Sequence, residues 1–128
     1  MSLTDSTVAV MLPTGNATRA QEFYESRLGL PFDGMNDTTG ELAFRLAGGS
    51  QLVLRVLPEA HPSPNTAMSF AVQDIGAEIA ARESRGVAFE DYALPGMKTV
   101  DHVFDDGHMK AAWFLDPDRN VLCLHQPT

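Results

Sequence analysis

The stretch NATRAQEFYESRLGLPF (residues 16–32) returns in outline as DIGAEIAARESRGVAF (residues 74–89). Each opens on an Asn or Asp that suits a helix N-cap, runs through a helix, reaches a glycine suited to the C-cap, and places a phenylalanine three residues later. The offsets are 58 residues from Asn16 to Asp74 and 57 from both Gly29 to Gly86 and Phe32 to Phe89. Spacing this constant across three residue types marks a duplicated unit.

Outward from the first copy, TVAVMLP (7–13) reads as a strand of small and β-branched residues. Helix 17–28 turns Ala20, Phe23, Tyr24 and Leu28 to one side, and strands follow around 30–32, 42–47 and 51–57, the last two joined at Gly48 and Gly49. PEAHPSPNT (58–66) holds three prolines and no apolar period, and is a linker. The second copy repeats the order with strand 67–72, helix 75–85 and strand 87–92. It then carries an insertion, PGMKTVDHVFDDG (95–107), before the hairpin KAAWFL-DPDRN-VLCLH. The expected fold is α+β in a single domain over 1–128. Two βαβββ modules, about 7–57 and 67–126, form a curved mixed sheet around a cleft, with helices on the outer face.

Composition narrows the function. Of 128 residues, 44% are hydrophobic, enough for a core, and 9 Lys+Arg against 17 Asp+Glu give a net charge of −8. That field repels phosphate backbones and anionic lipid surfaces, so neither nucleic acid nor a membrane is an expected partner. Cys123 is the sole cysteine, so no intramolecular disulfide and no thiolate-rich zinc site forms. No apolar run approaches the ~20 residues of a membrane span and no leader pattern opens the chain, so a cytoplasmic location is expected.

Three segments, RAQEFYESRLGL (19–30), AAWFLDPDRNVLCL (111–124) and DYALPGMKTVD (91–101), resemble the vicinal oxygen chelate superfamily, which includes glyoxalase I, the extradiol dioxygenases and the bleomycin-resistance proteins. The resemblance covers nearly the whole chain and implies four cavity-facing positions that hold a metal in the metal-dependent members. Carried over, these fall on Ala9, Ala67, Cys123 and either Leu54 or Arg55. None is a His or Glu, so the expected cavity is metal-free, with no cofactor. The resemblance further implies a homodimer that binds a small molecule such as an antibiotic or metabolite. The alternative is a metal-dependent lyase, isomerase or dioxygenase, or acid–base chemistry through His102, His125 or Tyr92. A third reading, a partner-binding module using an exposed sheet edge, needs an apolar surface patch.

Strand parity names the lining independently of the resemblance. With Asp116–Asn120 as the loop, Leu115 faces Val121 and Trp113 faces Cys123, while Ala112, Phe114, Leu122 and Leu124 make a continuous apolar face for the helices. Trp113, Cys123 and His125 are then left on the other side. Similar counting puts Val8, Val10, Leu12, Leu52, Leu54, Val56, Met68, Phe70 and Val72 on the helix side, and Ala9, Met11, Arg55, Ala67 and Ser69 opposite. The candidate ligand-binding residues are Met11, Arg55, Ser69, Tyr92, Trp113 and His125. They suit a flat aromatic or anionic ligand, with Tyr92 and Met97 placed to form a lid. Asp105 and Asp106, between His102 and His108, read as a solvated acidic loop, since the spacing does not match a calcium loop. A Cys123–His125 nucleophile pair is rejected, because i and i+2 side chains on a strand stand parallel at about 7 Å.

Overall fold

The computed structural model describes residues 2–127. The chain divides into two compact units, the first running to Pro62 and the second starting at Ser63. Residues 57–65 carry neither helix nor strand.

In the first unit β1 (Ala9–Thr14), β2 (Phe32–Met35), β3 (Leu42–Arg45) and β4 (Gln51–Val56) form a mixed sheet in the order β1-β4-β3-β2. β1 runs parallel to β4, with Met11 beside Val53 and Pro13 beside Arg55, and the other pairs are antiparallel. Asn16 caps α1 (Ala17–Gln21) by accepting from the Arg19 amide at 3.0 Å. Instead of continuing as the regular helix that the periodicity suggests, the chain widens into a π-helical turn over Glu22–Arg27. There the Leu28 amide reaches the Phe23 carbonyl at 3.0 Å. The wider turn lets two sequence neighbours, Phe23 and Tyr24, both point inward, at 5% and 0% exposure. Their rings meet edge to face at 5.2 Å, and Tyr24 continues to Phe44 at 5.8 Å.

Gly29 closes the helix at φ 75°, a conformation open to glycine without a Cβ clash. The Leu30 amide is spent on the Tyr24 carbonyl and Pro31 has no amide, so the second strand starts at Phe32, later than expected. Val56 was expected in the core and is 36% exposed, on the last rung of its ladder opposite Thr14. Leu52 and Leu54, on the same face, are fully buried.

The second unit repeats the plan with β5 (Thr66–Ala71), α2 (Ile75–Glu83), β6 (Ala93–Leu94), β7 (Met97–Lys98), β8 (Phe104–Asp105), β9 (Met109–Leu115) and β10 (Val121–Pro127). Its sheet order is β5-β10-β9-β8, with β6 and β7 as a separate hairpin. Asp74 caps α2 through the Ala77 amide at 3.1 Å, and Gly86 follows at φ 85°. The strand expected over 87–92 is reduced to one bridge, Phe89 with Phe114. The chain leaves the sheet there because the Tyr92 amide is taken by the Thr99 hydroxyl at 2.9 Å, and Tyr92 and Thr99 flank the β6–β7 hairpin.

β9 and β10 pair in the expected register, Leu115 with Val121 and Trp113 with Cys123. Ala112, Phe114, Leu122 and Leu124 are at most 5% exposed, and α2 packs on both strands. Each such large side chain contributes roughly 1.5–3 kcal/mol by leaving water. The Asp-Pro-Asp-Arg-Asn loop holds this register. Buried Asp116 accepts from the amides of Asp118 at 2.9 Å and Asn120 at 2.8 Å, and from the Asn120 side chain at 2.7 Å. Among the described residues no helix is long and apolar enough to cross a membrane.

Candidate functional site

Side chains alternate along a strand, so burying Ala112, Phe114, Leu122 and Leu124 under α2 turns Trp113, Cys123 and His125 to the helix-free face of the second unit. Ser69 joins them from β5, level with Cys123, and Ala71 stands level with His125. Thr66 accepts the indole N–H of Trp113 at 3.1 Å, which fixes the ring while leaving its surface accessible. Tyr92 meets that ring edge to face at 5.5 Å, and Phe104 stands 6.4 Å from it. Beside this aromatic group the Ser69 hydroxyl and His125 Nδ1 lie 2.6 Å apart. Ser69, Tyr92, Trp113 and His125, chosen from the sequence, are thus brought together on one face.

Met11 and Arg55 fall on the helix-free face of the first unit. They line a groove of about 360 Å³ together with Leu57, Glu59 and His61. Arg55 is not an open fork, because its Nε lies 3.3 Å from the Glu41 carboxylate. Thr66 and Phe104 were not among the candidates. Thr66 looked like the end of the linker, and two-residue β8 is too short to show a period, so neither carried a signal that the sequence displays on its own.

Burial sets the chemistry of two groups on the second unit's face. It pushes the Cys123 thiol up from its ordinary range, against smaller lowering contributions from Ser69 and the Ala112 backbone. Burial also raises the Tyr92 phenol, aided by the charges of Glu90 and Cys123. Both keep their protons at neutral pH, and the Cys123 thiol points at the Leu124 carbonyl at 3.2 Å. Cys123 is therefore expected to resist an aromatic disulfide reagent in the native protein at neutral pH and to react once urea unfolds the chain. Rapid labelling of the native protein at a rate near that of a free thiol would contradict this.

The other titratable groups singled out from the sequence serve the backbone or one another. His102 sits in the Val100–Val103 turn, where both central residues are left-handed, Asp101 at φ 51° and His102 at φ 71°. Its Nδ1 lies 3.1 Å from Asp91 and its Nε2 3.4 Å from Glu83, so both ring nitrogens face protein carboxylates. Asp106 accepts from the amides of His108 at 2.8 Å and Met109 at 2.7 Å, and Asp105 from that of Gly107 at 2.9 Å. These bonds shape the turn into β9.

The two amide bonds, first that of His108 and then that of Met109, hold the Asp106 carboxyl below its ordinary range. A depressed carboxyl stabilises the fold above its unfolded value, and that contribution is lost as pH falls through the lower folded value. The Asp106 carboxyl resonance is expected to titrate below that of an unfolded-chain aspartate, and Asp106→Asn should remove this part of the acid sensitivity. Titration at the unfolded-chain value would contradict it.

The four positions to which the resemblance assigns metal ligands do not fit a metal. Ala9 and Ala67 have no donor atom. Leu54 is fully buried, Arg55 is ion-paired with Glu41, and Cys123 is a lone thiol with no second metal donor among these positions. Among the described residues no group of three or more His, Cys, Asp or Glu side chains is arranged to hold a metal ion.

No protein-family model matches the sequence, and no curated protein matches it. Solved structures do match over nearly the whole chain. TnmS3, an antibiotic binding protein from Streptomyces sp. CB03234, is 24% identical with a TM-score of 0.75, over 97% of this chain and 97% of that one. A glyoxalase/bleomycin resistance protein from the same organism is 25% identical with a TM-score of 0.70, over 94% of this chain and 100% of that one. A lactoylglutathione lyase from Agrobacterium tumefaciens is 14% identical with a TM-score of 0.68, over 95% and 93%. The fold is that of the vicinal oxygen chelate superfamily, which the glyoxalase, bleomycin-resistance and dioxygenase proteins share.

Proposed function

We propose that the protein is a metal-independent binder of small aromatic molecules, an antibiotic or a metabolite, and that the helix-free face of the second unit takes the ligand. The observation that carries this reading is the aromatic group around Trp113. Thr66 ties the indole N–H, Tyr92 and Phe104 stand beside the ring, and Ser69 and His125 supply a polar edge. A ring held in place before binding loses little freedom when a flat ligand stacks on it, and the stacking adds about 0.5–1.5 kcal/mol beyond the area it buries. Two similar structures, an antibiotic binding protein and a glyoxalase/bleomycin resistance protein, support the same reading.

The metal-dependent alternative, to which the lactoylglutathione lyase among the similar structures corresponds, would need donors at positions occupied by Ala9, Ala67 and either Leu54 or Arg55. Calorimetric titration of chelator-treated protein with naphthoate, a planar aromatic acid, tests the proposal. Saturable binding at one probe per chain, with the probe recovered unchanged, is the expected result. Binding that appears only after a divalent metal is restored, or recovery of altered probe, would overturn it. The proposal includes a homodimer, so sedimentation should give twice the chain mass. A monomer at micromolar concentration would contradict that part.

A further inference from the structure

We infer that His125 is the residue that reads the polar end of the ligand, and that the ligand is a planar aromatic bearing a carboxylate or phenolate oxygen beside its ring. This inference rests on the binding face proposed above and adds what that face selects.

Ser69 Oγ and His125 Nδ1 are 2.6 Å apart, close enough that one of them donates a hydrogen bond to the other. The neighbouring Cys123 directs its own proton to the Leu124 carbonyl, and a thiol sulfur is a weak acceptor. Of the two directions that the 2.6 Å contact allows, we adopt Ser69 donating to the imidazole nitrogen, a stronger acceptor than the thiol. With Nδ1 accepting, the neutral ring carries its proton on Nε2, and a protonated ring carries one there too. In both states His125 presents an N–H donor.

Position gives that donor a target. His125 pairs across the sheet with Ala71 on one side and Ala111 on the other, two side chains too small to cover its ring. Trp113 is its diagonal neighbour on β9, two residues along from Ala111, and such pairs stand about 7–8 Å apart. One or two fused rings lying against Trp113 bring a ring substituent to that distance. The Trp113 N–H is already held by Thr66, so it does not compete for the substituent. A donor facing an anionic oxygen makes a charge-assisted hydrogen bond, whereas a cationic substituent at the same place meets an N–H of the wrong polarity.

The test compares two probes with the same bicyclic ring, naphthoate and naphthylmethylamine, by calorimetry on the chelator-treated full chain at neutral pH. The wild-type protein should bind the acid about tenfold more tightly than the amine. His125→Phe keeps a ring in the site but has no N–H, and should bring the two affinities within about twofold of each other. His125→Gln restores a donor at a similar reach and should recover most of the preference, which loss of structure would not do. Circular dichroism checks that both variants fold. The inference falls if the wild type binds both probes equally, or if His125→Phe keeps the full preference. If neither probe binds at all, the binding face falls as well, so the two failures are distinguishable.

Discussion

Replacing Trp113 with alanine is expected to weaken naphthoate binding by roughly thirtyfold or more, the loss typical of a central aromatic anchor. The ring is only half buried, and its partners Thr66, Tyr92 and Phe104 lie on the helix-free face. Removing it takes away the stacking surface and leaves the packing beneath α2 as it was. The variant should therefore unfold cooperatively in urea with the wild-type slope, which reports the area exposed on unfolding. Binding within twofold of wild type would place the ligand elsewhere.

Phe114, the next residue, should behave in the opposite way. Its side chain is 1% exposed and meets Phe89 at 5.2 Å between centroids, on the face that α2 covers. Alanine there loses the transfer free energy of the ring and leaves a cavity, a cost of about 3–5 kcal/mol. Domains of this size are stable by roughly 5–15 kcal/mol, so this single change removes a large share of the total. Urea denaturation measures it as a fall in the midpoint, and a change below about 1 kcal/mol would mean that Phe114 is not a core anchor. Two adjacent residues with opposite consequences follow directly from the alternation of a strand.

That alternation is also why so much was readable in the sequence. Wherever a hairpin loop was unambiguous, as at Asp116–Asn120, the register followed, and with it the face of every residue from Lys110 to Gln126. The repeat of Asn16, Gly29 and Phe32 as Asp74, Gly86 and Phe89 located both helices, because caps and left-handed glycines have local physical causes. Features that depend on competition between local and distant bonds were not legible. The π-helical turn at Glu22–Arg27 comes from burying two adjacent aromatic residues against Phe44, a distant partner. The strand expected over 87–92 has the right residues but loses the Tyr92 amide to Thr99, inside an insertion with no period of its own.

The candidate site divides in the same way. Trp113, His125 and Ser69 were reached by counting along strands. Thr66 and Phe104, which complete the aromatic group, lie where counting has no anchor, at a linker end and on a two-residue strand. The contact between Ser69 and His125 joins residues 56 apart in sequence, and only the parallel pairing of β5 with β10, which sets Ser69 level with Cys123 and Ala71 level with His125, brings them within reach.

The most direct measurement uses the fact that the chain has one tryptophan. A proton–nitrogen correlation spectrum of the labelled protein, recorded in chelator while naphthoate is added, contains a single tryptophan indole signal. This signal is expected to move and saturate, together with the backbone signals of Ser69, Cys123 and His125, without any metal. A spectrum in which Trp113 stays still while other signals move, or in which nothing moves until a divalent metal is supplied, would contradict it.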